Sequence, residues 1–169
     1  MNNKGLQEVS IRLIKERKLA SDKHVKTPEE AIVVLQELLN DMDRECVVVL
    51  NLQADMRPIN FCIASVGAVQ TSLANPADIF KSTILSNAPN IMLMHNHPSG
   101  NIQPSENDIR ITEQIKKGCD ILGIHMVDHI IVGSNTREFY SFSREEALQK
   151  QREMSPFMGN VRKLNMKCL

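Results

Sequence analysis

Tryptophan is absent from this chain, tyrosine occurs once and phenylalanine five times. So few aromatic rings leave little with which to stack nucleic-acid bases. Net charge is missing too: 20 Lys and Arg balance 20 Asp and Glu, which argues against a protein that coats DNA. No apolar run approaches the roughly 20 residues needed to span a bilayer. Met1-Asn2-Asn3-Lys4-Gly5 is not followed by the apolar segment of a signal peptide. The expected location is therefore the cytoplasm, without a membrane partner. Cys46, Cys62, Cys119 and Cys168 are scattered, with no close pair of the kind that holds structural zinc. Three of them stand in or beside apolar runs, where a reduced cysteine packs as a small hydrophobe. Charge of one sign gathers only at the end of the chain, where Lys150, Arg152, Arg162, Lys163 and Lys167 outnumber the acids. A solvated tail is the simpler reading, and contact with an acidic partner or nucleic acid is the sharper one.

What is present is enough apolar sequence, over 169 residues, for one domain with a real core. Glu8 to Leu19 carries a mixed pattern that fits a strand or a short helix. Lys23-His24-Val25-Lys26 reads as a connector, with His24 on the surface. Thr27-Pro28-Glu29-Glu30 starts a helix: a cap, a proline in the first turn, then acids at the positive end of the dipole. That helix runs through Leu39 and ends at Asn40–Asp43. Glu45–Leu52 is a buried strand, Ala54–Arg57 a turn, and Pro58–Val66 a second strand antiparallel to the first. Asn75-Pro76-Ala77-Asp78 opens a helix ending near Asn87. Ile91–Met94 is a short apolar strand. Ser105 opens another helix, expected to place Ile109, Ile111, Ile115 and Leu122 on its apolar side. Ile124–Val132 and Arg137–Phe142 are strands, and Ser143–Leu148 starts a closing helix. The order gives an α/β (α+β) fold, a mixed central β-sheet flanked by helices. Residues 1–42 form an N-terminal segment with a first helix packing on the domain, 43–150 the core, and 151–169 the basic tail.

Chemistry concentrates in His95-Asn96-His97-Pro98-Ser99-Gly100 and the following Pro104-Ser105-Glu106-Asn107-Asp108. A catalytic zinc ion takes three protein ligands and keeps a position for water. In an extended segment, residues i and i+2 point the same way, so His95 and His97 can reach one ion. Pro98 and Gly100 turn the chain back, and the next helix presents Asp108 from its first turn as a third ligand. Ser105 and Asp108 equally fit a capping box, in which each side chain satisfies a backbone N–H at the other position. Hydrolysis also wants a general base. Glu30, Glu37, Glu45, Glu106 and Glu113 are candidates, and Glu45 differs from the rest because it opens an apolar strand.

His125 and His129 lie on one strand, with Asp128 expected on the opposite face beside Met126 and Ile130. Asp128 there needs a partner: either a structural hydrogen bond at a strand end or a contact that orients a ligand histidine.

The His-Asn-His-Pro-Ser-Gly string with its downstream Pro104-Ser105 and Asp108 resembles the signature of the RadC-type JAB domain, within the JAMM/MPN+ metalloprotease superfamily. The superfamily pattern is an upstream Glu, then His-x-His, seven residues, Ser, two residues, Asp, and this chain matches it at every position. The resemblance extends from about Val9 to Leu148. It takes in Asp43-Arg44-Glu45, Ser65-Val66-Gly67, Ala88-Pro89-Asn90, Asp128-His129-Ile130-Ile131 and Tyr140-Ser141-Phe142. It implies the JAB/MPN (cytidine deaminase-like) architecture, with His95, His97 and Asp108 as ligands of Zn2+. It further implies Glu45 as general acid/base and Ser105 as a donor to the tetrahedral oxyanion. Many members carry a helix-hairpin-helix segment associated with DNA. The residues before Glu45 lack its Gly-rich hairpins, so the chain looks like the shorter form. The expectation is zinc-dependent hydrolysis of a peptide or isopeptide bond in a protein or peptide substrate. The rivals are a non-catalytic protein-binding module and a DNA-associated accessory factor, with nucleic acid possible but not favoured.

Overall fold

The strand that carries the histidines is the middle one. A computed structural model describes residues 10, 12–14, 23–40, 42–67, 75–134 and 138–150. In chain order the elements are α1 (Pro28–Asn40), β1 (Cys46–Leu52), β2 (Pro58–Val66), α2 (Pro76–Leu85), β3 (Asn90–His97), α3 (Glu106–Leu122), β4 (His125–Gly133) and β5 (Phe139–Ser141). Residues 142–150 are helical and form α4. The sheet order is β2-β1-β3-β4-β5. β1 is antiparallel to both β2 and β3, β3 is parallel to β4, and β4 is antiparallel to β5. The mixed sheet flanked by helices is thus as the sequence reads. The ambiguous stretch from Glu8 to Leu19 and the basic tail beyond Lys150 fall largely or wholly outside the described residues. No described helix is long and apolar enough to cross a membrane.

Alternation along β1 and β3 divides the core in two. Val48, Leu50, Leu52, Met92 and Met94 face α1, where Ala31, Leu35, Leu38 and Leu39 meet them. Val47, Val49, Ile91 and Leu93 face the other way, onto Ile79 and Phe80 of α2 and Ile111, Ile115 and Cys119 of α3. Each large aliphatic buried in these layers contributes about 1.5–3 kcal/mol. α2 and α3 pack closely because residue 118 is glycine: a Cβ there would lie 2.6 Å from Phe80 Cε2. The second layer positions the chemistry, since His95 and His97 continue the alternation of Ile91 and Leu93.

The Lys23–Lys26 segment is a connector with His24 exposed, as the sequence reads, and within it Val25 is a core residue whose N–H is bonded to the Met56 carbonyl at 2.8 Å. Two local expectations are corrected. The buried face of α3 runs through Asp108, Ile111, Thr112, Ile115 and Cys119, whereas Ile109 and Leu122 are exposed. Two polar residues hold inward positions at the start of that helix, so its isoleucines misreport its phase. In β4 the pairing with β3 skips one residue: Met126 pairs with Ile91, and Asp128 with Met92. Val127 is the extra residue of a bulge. Met126 therefore packs with the α2–α3 layer that His129 also faces, not beside Asp128. His125, level with Asn90, and His129, level with Leu93, do not share a face.

Candidate metal centre

Three elements deliver the histidine–carboxylate cluster. β3 ends in His95 and His97, which point to the α3 side of the sheet. The backbone ladder with β1 runs as far as Val47 opposite His95. Beyond it, the Asn96 side chain takes over, its Oδ1 accepting from Cys46 N at 2.8 Å and its Nδ2 donating to the Arg44 carbonyl at 3.0 Å. That clasp, with Gly67 N donating to the Glu45 carbonyl at 2.8 Å, fixes Glu45 at the mouth of the site. The middle residue of His-Asn-His thus has a structural task that the sequence did not reveal.

The loop after β3 turns back on His97. Gly100, with φ of 79°, occupies the left-handed region that glycine enters without strain. His97 Nδ1 lies 2.6 Å from the Asn101 carbonyl. A carbonyl only accepts, so His97 carries a proton on Nδ1, and Nε2 is the atom left to ligate a cation.

Asp108 comes from the first turn of α3, and the capping box is real: Ser105 Oγ accepts from Asp108 N. Asp108 Oδ2 in turn accepts from Ser105 N at 2.7 Å and from Ser105 Oγ at 2.6 Å. The cap does not exclude a ligand role, because it uses one carboxylate oxygen only. Oδ1 is buried without a hydrogen-bond partner, 3.2 Å from His95 Nε2.

The remaining distances are short. His95 Nε2 lies 2.9 Å from His97 Nε2, and His97 Nε2 lies 3.7 Å from Asp108 Oδ2. Glu45 Oε1 is 3.5 Å from His97 Nε2 and 3.9 Å from His95 Nε2. Ligands placed tetrahedrally at zinc's bond lengths stand roughly 3.3 Å apart. Glu45, His95, His97 and Asp108 form the one cluster among the described residues able to hold a metal ion. Their burial is graded, from His95 and Asp108 inside to the half-exposed Glu45 carboxylate. Of the other glutamates considered, Glu30 caps α1 through the N–H groups of Lys26 and Thr27, and Glu106 and Glu113 are exposed. The side chain of Glu37 lies outside the described set.

Electrostatics agrees with a site built for positive charge. Burial pushes the Asp108 carboxyl up, but the imidazoles of His95 and His97, with Ser105, outweigh it and hold the group well below the usual carboxylate range. The contact with Asp108 raises His97 against the opposing effect of burial. His129 is held neutral, well below the usual histidine value, mainly by burial. Cys46 and Cys119 are buried thiols pushed up to about 11 by desolvation, so they are inert packing groups.

His129 and Thr112 are the residues whose part sequence reasoning did not see. His95 Nδ1 lies 2.9 Å from His129 Nε2, and His129 Nδ1 lies 2.7 Å from Thr112 Oγ1. Asp128 is settled as structural. It accepts from His129 N, Ser141 Oγ and Ser143 N, tying β5 and the start of α4 to β4.

Comparison with known proteins agrees with this geometry. The family model of the RadC-like JAB domain matches residues 25–148. UPF0758 proteins of Streptococcus pyogenes serotypes M49 (strain NZ131) and M1 are each 37% identical over 145 residues, covering 86% of this chain. The serotype M6 protein is similar to the same extent. The chain spans 63% of the length of these relatives. With the motif, the strand order and the clustered side chains all in place, the chain belongs to the RadC-like JAB domain family.

Proposed function

We propose that the chain is a zinc-dependent hydrolase of peptide or isopeptide bonds, with His95, His97 and Asp108 as the ligands. One observation carries the reading. Asp108 Oδ1 is buried and without a hydrogen bond, and the Nε2 atoms of two imidazoles stand close to it and to each other. An arrangement of that kind is costly unless a cation sits among these atoms. A zinc ion bound there supplies Lewis acidity, polarising a carbonyl and lowering the pKa of a coordinated water toward about 7.

The protein's own groups do the rest. Glu45, half exposed and 3.5 Å from His97 Nε2, accepts the proton of the attacking water and returns it to the leaving amine. Ser105 donates to the oxyanion by turning its hydroxyl proton away from Asp108 Oδ2. That oxygen keeps its bond from Ser105 N, so the turn leaves the ligand carboxylate in place. The substrate is a protein or peptide, and its point of entry is the side on which Glu45 meets solvent.

The test is elemental analysis of purified protein, wild type beside His97→Ala, followed by digestion of an unbiased peptide library. One zinc per chain, lost in His97→Ala, and cleavage that falls by about 10²–10⁴ in Glu45→Gln with zinc retained is the expected result. Full turnover in Glu45→Gln removes that residue from the reaction. A wild type that retains no divalent metal overturns the reading.

A further inference from the structure

Three buried hydrogen bonds link the backbone of one ligand to the ring of another. Thr112 Oγ1 lies 2.6 Å from the Asp108 carbonyl oxygen. A carbonyl can only accept, so the single hydroxyl proton of Thr112 points there. The same Oγ1 is 2.7 Å from His129 Nδ1. With its proton already placed, the hydroxyl accepts from that nitrogen, and His129 carries its proton on Nδ1. His129 Nε2 is then a lone pair, 2.9 Å from His95 Nδ1, and it accepts the N–H of His95. What remains on His95 is a lone pair at Nε2, the atom that faces His97 Nε2 at 2.9 Å and Asp108 Oδ1 at 3.2 Å. The His129 ring is buried and stacked on Phe142, with centroids 5.0 Å apart and planes 7° from parallel. Its orientation is therefore set from outside the centre.

We propose that His129 and Thr112 are positioning residues: they fix His95 in the Nδ1-protonated tautomer and tie its ring to the backbone of Asp108. The circuit closes on a single residue, since Asp108 anchors one end through its carbonyl and faces the other through Oδ1. It joins β3 to α3 by way of β4, through residues as far as 34 apart in sequence. The inference deepens the zinc reading and rests on it for the consequence in affinity, though the tautomer exists without metal. A ring free to present the N–H of Nε2 to the site has to change tautomer before it can ligate. Hydrogen-bond partners of this kind are typically worth about 10–100-fold in metal affinity.

Two measurements on the full chain test it. Long-range 1H–15N correlation spectra of the metal-free wild type are expected to show His95 and His129 both protonated on Nδ1. His95 protonated on Nε2 overturns the proposal. Zinc affinity is then measured by chelator competition. His129→Phe keeps the ring and its stacking but offers no acceptor, and is expected to bind about 10–100-fold more weakly. His129→Gln, whose side-chain carbonyl can accept from His95, is expected to recover most of that loss. Equal affinity in wild type and folded His129→Phe shows a merely structural role and overturns the proposal. If His129→Phe does not fold, Thr112→Val against Thr112→Ser carries the test: a several-fold loss confined to Val supports the relay, and equal affinities overturn it. A wild type that binds no zinc defeats the hydrolase reading, and the tautomer spectra still decide the relay.

Discussion

Two buried aspartates, Asp108 in the first turn of α3 and Asp128 on β4, each hold the start of a helix and do opposite things. Asp128 uses both oxygens. Oδ1 accepts from His129 N at 2.8 Å and Ser143 N at 2.9 Å, and Oδ2 accepts from Ser141 Oγ at 2.6 Å. Asp108 satisfies Oδ2 with Ser105 and leaves Oδ1 without a hydrogen bond. Burial alone does not separate the two, since they are 1% and 4% exposed. The difference lies in what each withholds. A buried carboxylate with both oxygens answered by donors belongs to the architecture. One that keeps an oxygen free among imidazoles is set up for a ligand.

The comparison is broken most severely at position 108. Zinc bound to a four-ligand protein site is worth about 10–16 kcal/mol, so each ligand carries about 2.5–4 kcal/mol. Asp108→Asn is expected to weaken zinc binding several hundredfold, measured by chelator competition, with the fold retained because the cap can still form. Near-normal affinity in that variant would show that the free oxygen is not a ligand. At 128 the loss falls on stability. Asp128→Ala removes an acceptor from three donors, and hydrogen bonds to a charged group are worth about 1.5–3 kcal/mol. A destabilisation of about 3 kcal/mol in urea unfolding is expected, with zinc stoichiometry unchanged.

Titration sharpens the contrast in the metal-free protein. The contact with Asp108 raises His97 above 6.5 despite the opposing effect of burial. Its stabilising contribution is therefore full below pH 6.5 and lost as pH rises through the folded value. Burial holds His129 below 6.5, so its contribution is full above pH 6.5 and lost as pH falls toward the folded value. The two windows meet, and metal-free stability is expected to peak near pH 6.5. The acid limb falls by up to about 1.4 kcal/mol per pH unit for a single group. Denaturant unfolding in the presence of a chelator, repeated from pH 5 to 8, measures both limbs. His129→Phe flattens the acid side and His97→Ala the alkaline side. An acid limb unaltered in His129→Phe would place its origin elsewhere.

Much of this molecule is legible in its sequence, and the exceptions have a common cause. The β1–β2 hairpin, the α2 start at Asn75-Pro76 and the ligand motif are local patterns, set by side-chain alternation and capping chemistry. The bulge at Val127 is not local, because it exists only in the pairing of β4 with β3. The phase of α3 escapes the sequence because Asp108 turns inward to the histidines of β3 and Thr112 to His129 of β4. His129 meets His95 from 34 residues away and Thr112 from 17, and no spacing rule within one segment reaches that far. Asn96 is the same case: its partners at Arg44 and Cys46 explain why the residue between the histidines is an amide.

The smallest expected effect is the most discriminating, because the same substitution is made at both positions. In Asp128→Asn, the amide oxygen placed at Oδ1 still accepts from His129 N and Ser143 N. The amide nitrogen then faces Ser141 Oγ, which can accept as readily as donate. Every group keeps a partner, and the cost is expected to stay below about 1 kcal/mol. Asp108→Asn conserves volume and capping just as well, yet no rotation of the amide restores an anionic ligand to the histidines. Nearly silent at 128 and disabling for zinc at 108, the paired variants separate hydrogen-bond satisfaction from charge. If Asp128→Asn instead lost zinc to the degree Asp108→Asn does, the carboxylate of Asp128 would be acting on the centre through the His129 backbone. The division between architecture and site would then have to be redrawn along β4.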